Sequence, residues 1–120
     1  MSEGVELGRP AGRIKVSPVA VAGVVGGAVL QCYGVVGIAG RRMKNGRAQM
    51  LDEDSYGDGI VVSMESETIT IDVYVIVEYG TRISEVAHNI ITTVGTAVRR
   101  TLGTVPVRVN VNVQGLRIST

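Results

Sequence analysis

The stretch IVVSMESETITIDVYVIVEY, residues 60–79, decides the fold. Ile60-Val61-Val62-Ser63-Met64 leads to a polar tip at Glu65-Ser66-Glu67, and Thr68 to Tyr79 returns from it. In the return segment Ile69, Ile71, Val73, Val75 and Val77 fall on one face by strict alternation. Thr70, Asp72, Tyr74, Ile76 and Glu78 fall on the other. This is a β-hairpin with one apolar face, and that face needs a second layer to cover it.

Both flanks supply helices. After Gly80, a helix from about Ser84 to Leu102 carries Ile83, Val86, Ala87, Ile90, Val94, Ala97, Val98 and Leu102 at spacings of three and four. Gly103 stops it, and Arg99 and Arg100 sit in its last turn, where the helix dipole favours cations. The segment Val105–Ile118 alternates again, with Val107, Val109, Val111 and Val113 towards the core. On the N-terminal side, Gly12–Val16 reads as a short strand. Ser17-Pro18 is a strong helix start, because Ser caps the free N–H groups and Pro loses nothing at the first helical position. That helix is expected over Pro18–Tyr33, with Gly34 as its stop, followed by a strand at Val35–Ala39.

Residues 40–59 read as a long polar loop, basic in its first half (Arg41, Arg42, Lys44, Arg47) and acidic in its second (Asp52, Glu53, Asp54, Asp58), with a short helix around Ala48–Leu51. Residues 1–11 read as a flexible tail ahead of a single domain over 12–120. The order β-α-β-β-β-α-β implies an α+β fold, a mixed, mostly antiparallel sheet with two helices packed on one face. The opposite face carries Asp72, Tyr74, Glu78, Arg108, Asn110, Asn112 and Gln114 and is polar enough to meet water or a partner. Tyr74, Arg108, Asn110, Asn112 and Gln114 are its candidate partner-facing residues.

Composition narrows the function. Apolar residues make up 45% of the chain with no Phe and no Trp, so the core is built from Val, Ile, Leu and Ala. Twelve basic against eleven acidic residues leave a net charge of +1, too neutral for binding driven by phosphate contacts. With 3% aromatics there is no base-stacking platform either, so nucleic acid is not an expected partner. Cys32 is the single cysteine, with apolar neighbours, and reads as a buried small hydrophobe. The first residues have no apolar core of a signal peptide, which makes the cytoplasm the expected compartment. The longest apolar run, Pro18–Leu30, is short of the roughly 20 residues of a membrane span.

The same run is the unusual element. From Val19 to Leu30 no side chain is polar, and a helix that is apolar all round must be covered on more than one side. One side can lie on the sheet; a second copy is a candidate for the other. Ala22 and Gly26, and Gly23 and Gly27, form two tracks of small residues that allow close approach, and with Leu30 they make the candidate self-association surface. The competing reading is that the glycines fit tightly against the domain's own sheet. Under the first reading Gly23→Leu disrupts assembly or folding.

Catalytic chemistry is sparse. His88 is the one histidine, beside Glu85, with no nucleophile or metal partner in sight. Asp52, Asp54 and Gly57 match the first positions of a calcium loop, but Tyr56 and Ser63 stand where it needs further ligands. Arg41-Arg42-Met43-Lys44 can touch an anionic membrane or an acidic partner, or be an ordinary solvated loop. No enzyme, cofactor or metal site is expected.

Several separated motifs resemble the alkaline-shock (envelope stress response) protein family. Gly12-Arg13-Ile14 leading into Ser17-Pro18-Val19, then Cys32-Tyr33-Gly34-Val35-Val36-Gly37, resembles its opening. Ile71–Gly80 looks like its central strand and Ile83-Ser84-Glu85-Val86-Ala87-His88-Asn89 like its second helix. Val109-Asn110-Val111-Asn112-Val113-Gln114-Gly115-Leu116 is similar to its closing strand with a Val-Gln-Gly signature. The resemblance runs from about Gly12 to Ile118 and is closest to the short single-domain members of Gram-positive bacteria. It implies an abundant cytoplasmic protein linked to envelope and alkaline stress, with no catalytic residue to carry over. It also implies self-assembly as a homo-oligomer and a place near the membrane through a separate anchor protein. Short members are often encoded beside a fatty-acid or dihydroxyacetone kinase-like protein. A module that binds a small apolar ligand or acyl chain for such a partner is therefore the alternative function.

Overall fold

Strand β5, Thr68–Glu78, is the axis of the sheet. A computed structural model describes the backbone of residues 5–9 and 12–118, and the side chains of residues 16–118. One edge of β5 is shared by two antiparallel strands. Its first half pairs with β4 (Ile60–Glu65), from Thr68↔Glu65 to Val73↔Ile60. Its second half pairs with β3 (Val35–Ile38), from Val75↔Ile38 to Val77↔Val35. Along the other edge β6 (Val107–Arg117) runs parallel, from Ile69↔Val107 to Glu78↔Arg117. A parallel pair needs a crossover, and helix α2 (Ile83–Leu102) is that crossover. Helix α1 (Pro18–Leu30) packs beside α2 on the same side of the sheet. The fold is α+β, with a mixed sheet in which two of three pairings are antiparallel.

Local chemistry explains the elements. The Ser17 hydroxyl accepts from the Ala20 N–H at 3.1 Å and so caps α1, with Pro18 in the first turn. The β4–β5 turn places Ser66 and Glu67 at φ of 47° and 67°, the twist that suits a two-residue hairpin. Between sheet and helices, Ile69, Ile71, Val73, Val75 and Val77 meet Val21, Val25 and Val29 of α1 and Val86, Ile90, Val94 and Val98 of α2. Cys32 joins this core, its thiol donating to the Ala28 carbonyl at 3.5 Å.

Four expectations change. Within residues 1–11, read as a tail, Val5–Arg9 form strand β1, paired antiparallel with β2 (Gly12–Val16). The apolar–polar alternation of Val5-Glu6-Leu7 suits this strand. Strand β2 consequently belongs to this separate two-stranded sheet and not to the main one. Helix α1 ends at Leu30 rather than Tyr33, because Gln31 and Cys32 donate three residues back, to Ala28 and Val29, and tighten its last turn. The expected helix at Ala48–Leu51 is absent; a 3-10 helix forms instead at Glu53–Asp58.

The 40–59 segment is also far from a plain loop. Ala39 pairs with Met50 and Lys44 with Arg47, so the chain from Ile38 to Leu51 doubles back as a hairpin arm. Asn45 and Gly46 form its turn at φ of 54° and 74°.

Candidate functional site

Two surfaces collect the residues singled out above. The first is the outer side of α1. Ala22 is buried, and Gly26 faces inward: a Cβ built on it would lie 2.5 Å from Tyr56 Cδ2, so the Tyr56 ring of the 3-10 helix occupies that space. Gly23 and Gly27 face the other way, and nothing lies within 4 Å of a Cβ built on either. They continue a stripe from Val19, 80% exposed, to Leu30, 43% exposed. Of the five candidate self-association residues, the structure therefore places Ala22 and Gly26 inside the protomer and leaves Gly23, Gly27 and Leu30 outside. The tight-fit reading describes the Ala22 and Gly26 track, where the neighbours are Tyr56 and Ile38; the Gly23 and Gly27 track has open space beside it.

The second surface is the sheet face away from the helices, where the arm lies. Ile76 points to this side and is fully buried. Its neighbours in register are Gly37 on β3 and Gly115 on β6, and neither has a side chain to cover it. The arm does so. A Cβ on Gly37 would meet the Met50 side chain at 3.0 Å, and one on Gly115 would meet the Ala48 Cβ at 3.1 Å. A β-bulge at Gln114, between Val113 and Gly115, re-aims the strand so that Gln114 and Gly115 both address the arm. Gln114 Nε2 donates to the carbonyls of Gly40 at 3.2 Å and Arg41 at 3.0 Å.

Two of the other candidate partner-facing residues are similarly engaged. Asn110 donates to Asp72 Oδ1 at 2.9 Å, and Asn112 donates to the Val73 carbonyl at 3.4 Å. Tyr74 is half-buried beside Asn112, and Arg108 is exposed. Gln114 and Asn112 thus hold the protomer's own backbone, and Arg108 and Asn110 are the exposed members of the set.

The remaining chemistry is spread thin. His88 is exposed on α2, in a shallow cleft with Tyr33, Arg82, Glu85 and Asn89. Among the described residues no group of His, Cys, Asp and Glu is arranged to hold a metal. The Asp52–Asp58 stretch, compared above with a calcium loop, is used to wind the 3-10 helix that seats Tyr56 on Gly26. An apolar cleft between α1 and α2, lined by Ala20, Val21, Val24, Val98 and Leu102, has a volume of about 60 Å³. A cavity that accepts benzene is roughly 150 Å³, larger than this cleft. Among the described residues no helix is long and apolar enough to cross a membrane.

Sequence reasoning missed Tyr56, Met50 and Ala48 as structural residues. Two signals were present: the Asn45-Gly46 dipeptide, the strongest short hairpin signal, and Ile76 as the one large aliphatic on an otherwise polar face.

Similarity to known proteins extends over nearly the whole chain. The Bacillus subtilis (strain 168) protein YloU is 43% identical over 116 residues, covering 96% of this chain and 97% of its own. Spy1614 of Streptococcus pyogenes serotype M6 is 35% identical, covering 95% of each chain. Among solved structures, a MamM CTD variant in its nickel form has a TM-score of 0.46 and 16% identity, covering 80% of this chain and 95% of its own. The alkaline-shock protein family, described as having a cell envelope-related function, matches residues 6–118. The family match contains the whole span of the motif resemblance, and the chain belongs to the alkaline-shock protein family.

Proposed function

We propose that this protein is a non-catalytic, envelope-associated component that works by self-association through the outer side of α1 and by binding a partner that brings it to the cell envelope from the cytoplasm. The observation that supports the reading is the exposed face Val19, Gly23, Gly27 and Leu30, an apolar stripe with open space above both glycines. Small residues let two helix backbones approach closely, and Val19 and Leu30 supply apolar area at either end of the contact. A face that packs on its own copy is isologous, so one patch serves both protomers. The absence of polar side chains from Val19 to Leu30 means such a contact strands no hydrogen-bonding side chain.

The test is light scattering coupled to size exclusion across micromolar concentrations. The expected mass is a multiple of the 12.6 kDa protomer, rising with concentration. Gly23→Leu is expected to lower that mass without destabilising the protomer, because the added side chain meets open space within it and Leu favours helix over Gly. A strictly monomeric wild type, or a Gly23→Leu variant with unchanged mass, refutes the reading.

A further inference from the structure

We propose that the hairpin arm, through Arg41, Arg42, Met43, Lys44 and Arg47, is a docking surface for an anionic lipid bilayer. From Ala39 to Leu51 the chain carries these four cations and no acid. All four are exposed. Among the described residues the one ion pair within 4.0 Å is Arg82–Glu85, so no described acid neutralises the arm in this way. Asp58 shares a cleft with Arg41 and Arg42 and weakens their field, whereas Lys44 and Arg47 do not line it. The other acids of the segment, Asp52, Glu53 and Asp54, lead into the 3-10 helix that packs towards α1 through Tyr56. The arm's Ala48 and Met50 lie over the opposite face of the sheet, while its base touches that helix, the Arg41 N–H donating to the Asp58 carbonyl at 3.0 Å.

The arm is a built device. Lys44 and Arg47 exchange backbone hydrogen bonds of 2.9 and 3.0 Å across the Asn45-Gly46 turn. Gln114, Gly115 and Gly37 fix its base on the sheet. The cations are therefore displayed from an ordered hairpin, and binding orders little backbone. Met43 selects a bilayer over other polyanions. It is 51% exposed, flanked by Arg42 and Lys44, and an unbranched apolar side chain between two long cations suits the boundary between headgroups and acyl chains. Residues 34–55 contain no aromatic to stack on a nucleic-acid base. Each cation near an anionic surface strengthens binding by roughly fivefold, so the arm gives a weak, salt-sensitive attachment. This attachment is independent of self-association.

The experiment is co-sedimentation of the full chain with vesicles of phosphatidylglycerol mixed with phosphatidylcholine, against vesicles of phosphatidylcholine alone. Binding is expected to the anionic vesicles only, falling as salt is raised. Arg41→Gln with Arg42→Gln is expected to weaken it by about tenfold or more. Arg99→Gln with Arg100→Gln, the same change in net charge on α2, is expected to leave it near wild type. Met43→Ser, at constant charge, is expected to weaken vesicle binding several-fold. No binding to anionic vesicles at low salt overturns the proposal, as does equal loss in both double variants. Binding to polyglutamate or to duplex DNA as tight as to vesicles, with vesicle binding indifferent to Met43→Ser, assigns the arm to polyanions in general and overturns the bilayer.

Discussion

At Gly26 a single methyl group collides with an aromatic ring, and three residues earlier the same methyl meets nothing. The contrast turns two similar glycines into opposite experiments. Gly26→Ala must displace Tyr56, which seats the 3-10 helix on α1, and is expected to cost about 1–3 kcal/mol in urea unfolding, in the range of core overpacking. Gly23→Ala and Gly27→Ala remove the conformational freedom of an exposed mid-helix glycine and are each expected to add up to about 1 kcal/mol to the protomer. The spacing of four in both tracks was plain in the sequence. Which track faces inward was not, because a helix with no polar side chain from Val19 to Leu30 has no phase to read. The amphipathic α2 posed no such problem: its stripe of Val86, Ile90, Val94, Val98 and Leu102 is the buried side.

Among the elements, β5 was legible almost residue by residue, since strict alternation fixes which side chains are buried. The arm was not. Its cover over Ile76 depends on Gly37 and Gly115, which lie far from each other in sequence and meet only once β5 stands between them. The Val-Gln-Gly motif acquires a physical role through this contact: the bulge turns Gln114 and Gly115 to the same side, one to bind the arm's carbonyls and one to clear space for Ala48. Gln114→Ala leaves the carbonyls of Gly40 and Arg41 without this partner and is expected to cost about 1–2 kcal/mol, felt locally. Amide exchange is the direct measurement. The amides of Gly40 and Leu51, which bond to Gln49 and Ile38 at the arm's base, should exchange faster in the variant, while those of β5 keep their wild-type rates. Equal acceleration in both places means Gln114 supports the whole sheet rather than the arm.

For the molecule as a whole, the topology makes β5 the last element to open. Strands β3 and β4 divide one of its edges and β6 runs along the other, so every long-range pairing of the main sheet passes through it. Its five inward residues are fully buried between sheet and helices. Its amides are freed only by separating β6 from one side, or β4 or β3 from the half of the other side that each covers, and the amides bonded to β6 should report the free energy of global unfolding. Strands β1 and β2 pair with each other in a sheet of their own, and a two-stranded hairpin is marginal by itself in water. Their amides should exchange orders of magnitude faster than those of β5, and removal of residues 1–9 should shift the global unfolding midpoint only slightly. Hydrogen exchange followed by mass spectrometry, with urea unfolding of the shortened chain, checks both parts. Protection of Gly12–Val16 equal to that of β5 means the N-terminal hairpin is integral to the main core, and the boundary of the folded unit then moves from residue 12 back to Val5.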